Sequence, residues 1–250
     1  MHLCFASLNV FASAYSQSDF FGKLIFLGLF ILSAICWIVL IYKFWMTRQV
    51  RSLSYAFEAA YEKNKDKLLS IEREQIPINS KIKNLPHPFA EVFFAIKNKT
   101  VEVLNKNLFF ARKTDKDFSE VYLSTEDLEL IESHALTTIS KQNKQLEKNL
   151  FILSTIVTLA PFLGLLGTVW GILITFGALH QGGAASSNSV ILGGLSTALA
   201  TTVLGLVIAI PALIAYNYLK SSTKKLSSDT EDFLYSLLST IELQYRKSGL

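Results

Sequence analysis

Residues 150–219 read LFILSTIVTLAPFLGLLGTVWGILITFGALHQGGAASSNSVILGGLSTALATTVLGLVIAIPALIAYNYL and contain no Asp, Glu, Lys or Arg. A polar loop at 180–189 divides the stretch into two apolar halves. Each half exceeds the ~20 residues that a helix needs to cross a bilayer. Nine of the twelve glycines lie in this stretch, and small residues let the backbones of membrane helices approach closely. The pattern therefore predicts a hairpin of two packed transmembrane helices.

A third apolar stretch, 20–45, precedes the hairpin, and half of all residues are hydrophobic. The sequence predicts an all-α integral membrane protein with three transmembrane helices and long cytoplasmic helical extensions. The sequence predicts seven segments: an outer N-terminal segment (1–19), transmembrane helix 1 (20–45), a cytoplasmic helical domain (46–149), transmembrane helix 2 (150–179), an outer loop (180–189), transmembrane helix 3 (190–219) and a cytoplasmic helical tail (220–250). The N-terminal segment is expected to be either a short amphipathic lid on the outer surface or disordered.

The basic residues indicate the orientation in the membrane. The loop 180–189 has no Lys or Arg and residues 1–42 have only Lys23, whereas the other 23 lie in 43–149 and 220–250. The positive-inside rule places the basic segments in the cytoplasm, with the N-terminus and the loop outside. The net charge of +4 does not indicate nucleic-acid binding, because the basic residues are interleaved with acidic ones and cluster beside apolar segments.

Local signals predict the helices of the charged segments. A helix is expected from Arg48 to about Arg73, and Pro88 suits the first turn of the next one. Ser124-Thr-Glu-Asp127 has the spacing of a capping box. No Gly or Pro follows until Pro161, so the simplest prediction is one helix from Thr125 to Leu179. Leu226, Phe233, Leu237 and Ile241 share one face of a helix in the tail.

Two threonines have matching positions in the hairpin. Thr168 lies 11 residues before Leu179 and Thr202 lies 12 after Val190, so both are ~16–18 Å below the outer edge, near the middle of a ~30 Å core. Their hydroxyls either bond back to their own helices or line a narrow passage within a ring of such hairpins. Thr197 and Thr201 lie on the face of the same helix that is next to the face of Thr202. We take all four as candidate pore-lining residues on a proton pathway.

A second set of residues is expected to pack the helices. It consists of small residues, and of prolines at similar depth in the inner half of the bilayer, and its members are Gly164, Gly167, Gly171, Gly205, Pro161 and Pro211. No nucleophile–base pair, phosphate loop or metal-ligand spacing is visible, so no enzymatic activity, cofactor or metal is expected. An ion path through a membrane normally needs an ionisable residue. No Asp, Glu, Lys or Arg lies between Lys148 and Lys220, so the carboxylate is expected from a partner.

The motifs APFLGLLGTVWG at 160–171, ALATTVLGLVIAIP at 198–211 and AYN at 215–217 resemble those of the MotA/TolQ/ExbB proton channel family, specifically its TolQ/ExbB branch. The order of one span, a charged segment of about 100 residues, two spans and a tail extends the resemblance to most of the chain. Thr168 and Thr202 match the pore threonines of the family. Many TolQ and ExbB proteins carry a Glu where this chain has Thr197, which leaves a partner's Asp as the proton carrier.

The resemblance implies a homo-oligomer, a pentamer, in the bacterial inner membrane. Its pore would hold helices of a one-span ExbD- or TolR-like partner that carries the membrane Asp. Proton flow would drive a TonB- or TolA-like transducer that energises outer-membrane transport or maintains the envelope. Two alternatives stay open: a flagellar-type stator subunit and a non-conducting membrane scaffold for secretion. A neighbouring gene for a one-span protein with a membrane Asp would separate a motor from a scaffold.

Overall fold

The computed structural model of the protein describes residues 11–62, 85–113, 122–181 and 187–245. These residues are almost entirely helical, and the exceptions are short turns and a single bridge residue, Leu123. The prediction of an all-α fold is therefore confirmed. The helices are α1 (11–17), α2 (Phe20–Glu62), α3 (Pro88–Lys113), α4 (Thr125–Glu147), α5 (Leu150–Gln181) and α6 (Ser187–Tyr245).

Among the described residues, three helices are long and apolar enough to cross a membrane. The qualifying stretches are Phe20–Glu62, Leu150–His180 and Ile191–Tyr245, so the chain is a multi-pass membrane protein. The predicted spans lie within α2, α5 and α6, but α2 and α6 continue far beyond the predicted inner ends at 45 and 219. The helix that was expected to begin at Arg48 is instead the second part of α2, and its predicted end near Arg73 lies outside the described residues.

The chain divides into two compact units, an apolar unit of residues up to 43 together with 149–219, and a charged unit of 44–148 together with 220–250. In the apolar unit, Leu153, Ile156 and Ala160 of α5 are fully buried with Leu29 of α2 and Ala212 of α6. The spacing of three to four residues puts the α5 members on one face. That face is where α5 meets the other two apolar helices.

The charged unit has a core of its own, built from α3, α4, the later part of α2 and the end of α6. Phe89 of α3 stacks on Phe233 of α6 with ring centroids 4.8 Å apart, and Ile131 and Ala135 of α4 are fully buried in the same cluster. Two predicted helix starts are confirmed. Pro88 begins α3, and Ser124 and Asp127 form the reciprocal bonds of a capping box at α4.

The prediction of one continuous helix from Thr125 to Leu179 is wrong. Helix α4 ends at Glu147 and α5 begins at Leu150. Between them Lys148 leaves the helical region, with ψ at 132°, and Asn149 has a left-handed φ of 69°. Asn tolerates this conformation better than most residues because its short polar side chain can hydrogen-bond locally. Asn149 thus does what Gly commonly does after a helix, and a search for Gly and Pro alone misses it.

Several other expectations fall wholly or partly outside the described residues. They concern the first ten residues of the N-terminal segment, residues 63–84 and 114–121 of the predicted cytoplasmic domain, the middle of the outer loop and the last five residues of the tail. The described part of the N-terminal segment, α1, packs against apolar helices. Ala14 is buried with Phe26 of α2 and Ala200 of α6, and the ring of Tyr15 meets that of Phe26 edge-on at 6.0 Å.

Candidate functional site: a threonine pair on a glycine-packed hairpin

Helices α5 and α6 meet backbone against backbone. A Cβ added to Gly164 would lie 2.9 Å from the carbonyl oxygen of Thr201, and one added to Gly171 would lie 2.8 Å from the Cβ of Ala198. Gly167 lies against the side chain of Thr201, and a Cβ on Gly205 would lie 2.5 Å from the carbonyl oxygen of Ala160. Any larger residue at these positions would push the two helices apart.

This close contact brings the two threonines of matching depth together. The hydroxyl oxygens of Thr168 and Thr202 lie 3.4 Å apart. The hydroxyl of Thr202 crosses the interface and donates to the carbonyl of Gly164 at 2.9 Å. The hydroxyl of Thr168 donates to the carbonyl of Leu165, one turn back on its own helix, at 2.7 Å. The predicted bond of a threonine to its own helix therefore holds for Thr168, while Thr202 bonds to the other helix.

Both hydroxyl protons are thus engaged, but the oxygens keep lone pairs. A threonine hydroxyl carries one donor and two acceptor lone pairs, and it can rotate. The pair can therefore accept a hydrogen bond from water or from a protonated carboxylic acid as it stands. If either hydroxyl turns away from its carbonyl, it can donate to a carboxylate. The pair suits a group that gains and loses a proton without requiring a charge on this chain.

The four candidate threonines differ in accessibility. Thr168 and Thr202 are partly exposed, whereas Thr201 is 1% exposed and Thr197 is 9% exposed. The hydroxyl of Thr201 donates to Ala198 at 2.7 Å, with the carbonyl of Gly164 at 3.2 Å. Thr197 donates to Gly193 at 2.9 Å. Thr168 and Thr202 therefore reach the surface of this chain, whereas Thr197 and Thr201 lie inside.

The surface around the pair is apolar. The side chains of Leu165, Val169, Leu199 and Leu206 are all about half-exposed on the same two helices. Pro161 and Pro211 lie inside α5 and α6. In the described parts of the chain, no three His, Cys, Asp or Glu side chains gather as they would around a metal ion.

Sequence reasoning missed one polar contact of the apolar unit. The carboxylate of Asp19 accepts the indole N–H of Trp170 at 2.9 Å and the backbone N–H of Gly22, also at 2.9 Å. Two signals could have found it. Asp19 directly precedes an apolar helix, which is the preferred place of a capping Asp, and a Trp inside an apolar helix needs an acceptor for its N–H.

The model of the MotA/TolQ/ExbB proton channel family matches residues 105–232, which is just over half of the chain and includes the whole hairpin. The chain belongs to this family. The predicted resemblance is therefore confirmed, and the threonine pair lies within the matched residues.

Curated relatives agree with the TolQ/ExbB branch. The biopolymer transport protein ExbB of Aquifex aeolicus is 42% identical over 88 residues, which are 35% of this chain and 59% of that protein. ExbB of Helicobacter pylori is 43% identical over 97 residues, 39% of this chain and 66% of that protein. The Tol-Pal system protein TolQ of Haemophilus influenzae is 34% identical over 96 residues, 38% of this chain and 42% of that protein. The chain thus matches about half the length of these relatives.

Proposed function

We propose that this member of the MotA/TolQ/ExbB family is a proton-conducting subunit of an inner-membrane complex that uses the proton motive force to energise outer-membrane transport or envelope integrity. The observation that carries the proposal is the threonine pair. The hydroxyls of two partly exposed threonines lie 3.4 Å apart on a hairpin whose 70 residues include no Asp, Glu, Lys or Arg. Such a pair can serve a proton carrier from another chain but cannot itself carry a proton at neutral pH.

The absence of charge from the hairpin also defines the partner. A carboxylate in a membrane is costly unless polar groups meet it, and Thr168 and Thr202 supply such groups. We therefore infer a one-span partner of the ExbD or TolR type with an Asp at the level of the pair. The family resemblance is the basis for a ring of such hairpins, a pentamer of this chain, around the partner. The proton flow would drive a TonB- or TolA-like transducer.

The remaining features of the proposal rest on sequence. The Lys and Arg asymmetry supports an inner-membrane orientation with the N-terminus in the periplasm and the tail in the cytoplasm. Segments 46–149 and 220–250 would then be the cytoplasmic domain. We propose a transport role and no enzymatic one. The names of the relatives, ExbB and TolQ, favour an envelope energiser over a flagellar-type stator or a secretion scaffold.

The test is proton flux in vesicles that contain the chain and its one-span partner. Thr→Val keeps the shape of the side chain and removes the hydroxyl. The loss of one hydrogen bond to a charged group costs about 1.5–3 kcal/mol, which is roughly ten- to a hundredfold in a rate that it controls. We expect this loss of flux in the double variant Thr168→Val/Thr202→Val, with normal assembly.

The chain offers a matched control on the same helix. Thr155 and Thr158 are exposed, and their hydroxyls donate to the carbonyls of Phe151 and Thr155 within α5. The variant Thr155→Val/Thr158→Val therefore removes two hydroxyls without touching the pair, and it should conduct normally. Full flux in Thr168→Val/Thr202→Val would contradict the proposed role of the pair. No flux in the unmodified complex would favour the scaffold.

A further inference from the structure

The carboxylate of Asp19 joins two of the apolar helices. One oxygen accepts the backbone N–H of Gly22 in the first turn of α2, and the other accepts the indole N–H of Trp170 in the middle of α5. The ring of Phe21 also contacts the indole, with centroids 4.4 Å apart. The start of α2 is thus attached to α5 by a bond with a charged acceptor and by a ring contact.

The local sequence is fitted to this arrangement. A Cβ on Gly22 would lie 2.9 Å from the capping oxygen of Asp19 and 3.2 Å from the Cβ of Ser18. Gly at this position lets the Asp19 side chain fold over the first turn of α2. The segment before it is held as well, because the hydroxyl of Ser18 donates to the carbonyl of Ala14 at 2.7 Å. That carbonyl is also 3.4 Å from the hydroxyl of Thr197 in α6.

The attachment point lies at the level of the threonine pair. Trp170 follows Thr168 by two residues, which is about 3 Å along the axis and about 200° around it. The indole therefore leaves α5 on the side opposite the Thr168 hydroxyl. Gly171 comes next and packs against Ala198. The same turn of α5 thus bears the threonine on one side, the Asp19 contact on another and the contact with α6 beside them.

We propose that Asp19 is a positioning residue for the threonine pair, acting through the indole of Trp170. Its carboxylate holds this turn of α5 in the rotation and height at which Thr168 meets Thr202. Asp19 does not contact the conducted proton. The inference rests on the proposed function, because it assigns Asp19 a role in the same conduction path.

The test uses one isosteric variant and one that keeps an aromatic ring. Asp19→Asn leaves one acceptor oxygen. Asn caps a helix as well as Asp does, so this oxygen stays on the backbone N–H of Gly22, the amide NH2 faces the indole N–H, and the bond to Trp170 is lost. Trp170→Phe removes the N–H and keeps a ring against Phe21. In vesicles of the full complex, each variant should lower flux about three- to fifteenfold, the range expected from hydrogen bonds between membrane helices. The double variant should lower it no further, because both changes break one bond.

A second measurement follows the indole itself. Trp37→Phe/Trp45→Phe leaves Trp170 as the single tryptophan. Acrylamide should quench its fluorescence more strongly after Asp19→Asn, with unchanged assembly. Ser18→Ala is the matched control, because it removes the neighbouring bond to Ala14 without touching Trp170, and it should leave the quenching unchanged.

The possible outcomes separate this inference from the proposed function. Flux deficits that multiply in the double variant, or unchanged flux and quenching in Asp19→Asn, would overturn the positioning role. If Thr168→Val/Thr202→Val loses flux and Asp19→Asn does not, only the positioning role fails. If the threonine variant conducts fully, the pore role of the pair fails, and the quenching result still decides whether Asp19 holds Trp170.

Discussion

Gly205→Ala offers a direct test of the close contact between α5 and α6. The added Cβ would lie 2.5 Å from the carbonyl oxygen of Ala160 and 3.3 Å from the Cα of Gly164. Both neighbours are backbone atoms and cannot turn aside. Non-bonded heavy atoms pack best at about 3.5–4.0 Å, so the helices must separate by about 1 Å here. The bond from Thr202 to Gly164, now 2.9 Å, starts one turn away and should weaken.

The magnitude follows from two opposing effects. Overpacking a close contact costs about 1–3 kcal/mol, while replacing Gly by Ala inside a helix gains up to about 1 kcal/mol. Gly177→Ala isolates the second effect, because a Cβ on Gly177 would meet nothing within 4 Å. The difference between the two variants therefore measures packing alone. We expect Gly205→Ala to be less stable than Gly177→Ala by about 1–3 kcal/mol.

The assay is reversible unfolding of the detergent-solubilised protein by increasing denaturant, followed by proton flux in vesicles. Gly177→Ala should match or exceed the unmodified protein in stability and conduct normally. Gly205→Ala should lose both stability and flux. Equal stability of the two variants would refute the argument that the backbones meet at Gly205. Reduced stability with full flux would show that the hairpin can open without disturbing the threonine pair.

Three further predictions concern other parts of the chain. Nδ1 of His87 accepts the N–H of Ala90 at 3.3 Å, and burial lowers the pKa of this imidazole. The contribution of His87 to the free energy of unfolding should therefore be complete above pH about 6.5 and decline below it. The variant His87→Asn keeps a capping acceptor and should show no such decline. The φ of 69° at Asn149 disfavours a β-branched side chain. In the same denaturant titration, Asn149→Gly should leave the stability unchanged and Asn149→Val should lower it by about 1–2 kcal/mol. Equal effects of the two variants would contradict the left-handed turn. Single cysteines at Ser186 and Ser248, in a chain without its natural cysteines, should be labelled in intact cells by an impermeant thiol reagent at 186 only, and the opposite pattern would reverse the topology.

The three spans could be predicted from the sequence because a membrane span is recognised from consecutive residues alone, without knowing how the chain folds. A charged side chain in the hydrocarbon core is costly, so the longest uncharged stretches mark the spans wherever the chain folds. The depth of Thr168 and Thr202 followed in the same way, by counting residues from the ends of an antiparallel hairpin. Their hydroxyls do lie within 3.4 Å of each other, and their role in conduction remains a prediction.

The contacts that could not be predicted depend on which face each helix turns to its neighbours. The bond between Asp19 and Trp170 joins positions 151 residues apart, and no local pattern specifies that pairing. Thr201 and Thr202 are adjacent and both reach the carbonyl of Gly164, yet Thr201 is buried and Thr202 is partly exposed, because only Thr201 also lies against Gly167. Hydropathy gives depth along the helix but not rotation about it.

The backbone contact between α5 and α6 has a consequence for movement. Glycines have no side-chain rotamers to lose when the helices associate, and none that could adjust if one helix slid past the other. A displacement would immediately bring Thr201 or Ala198 into the backbone opposite. We therefore expect the two helices of the hairpin to move as one rigid unit, so that any motion during the proposed conduction would take place in the elements around it.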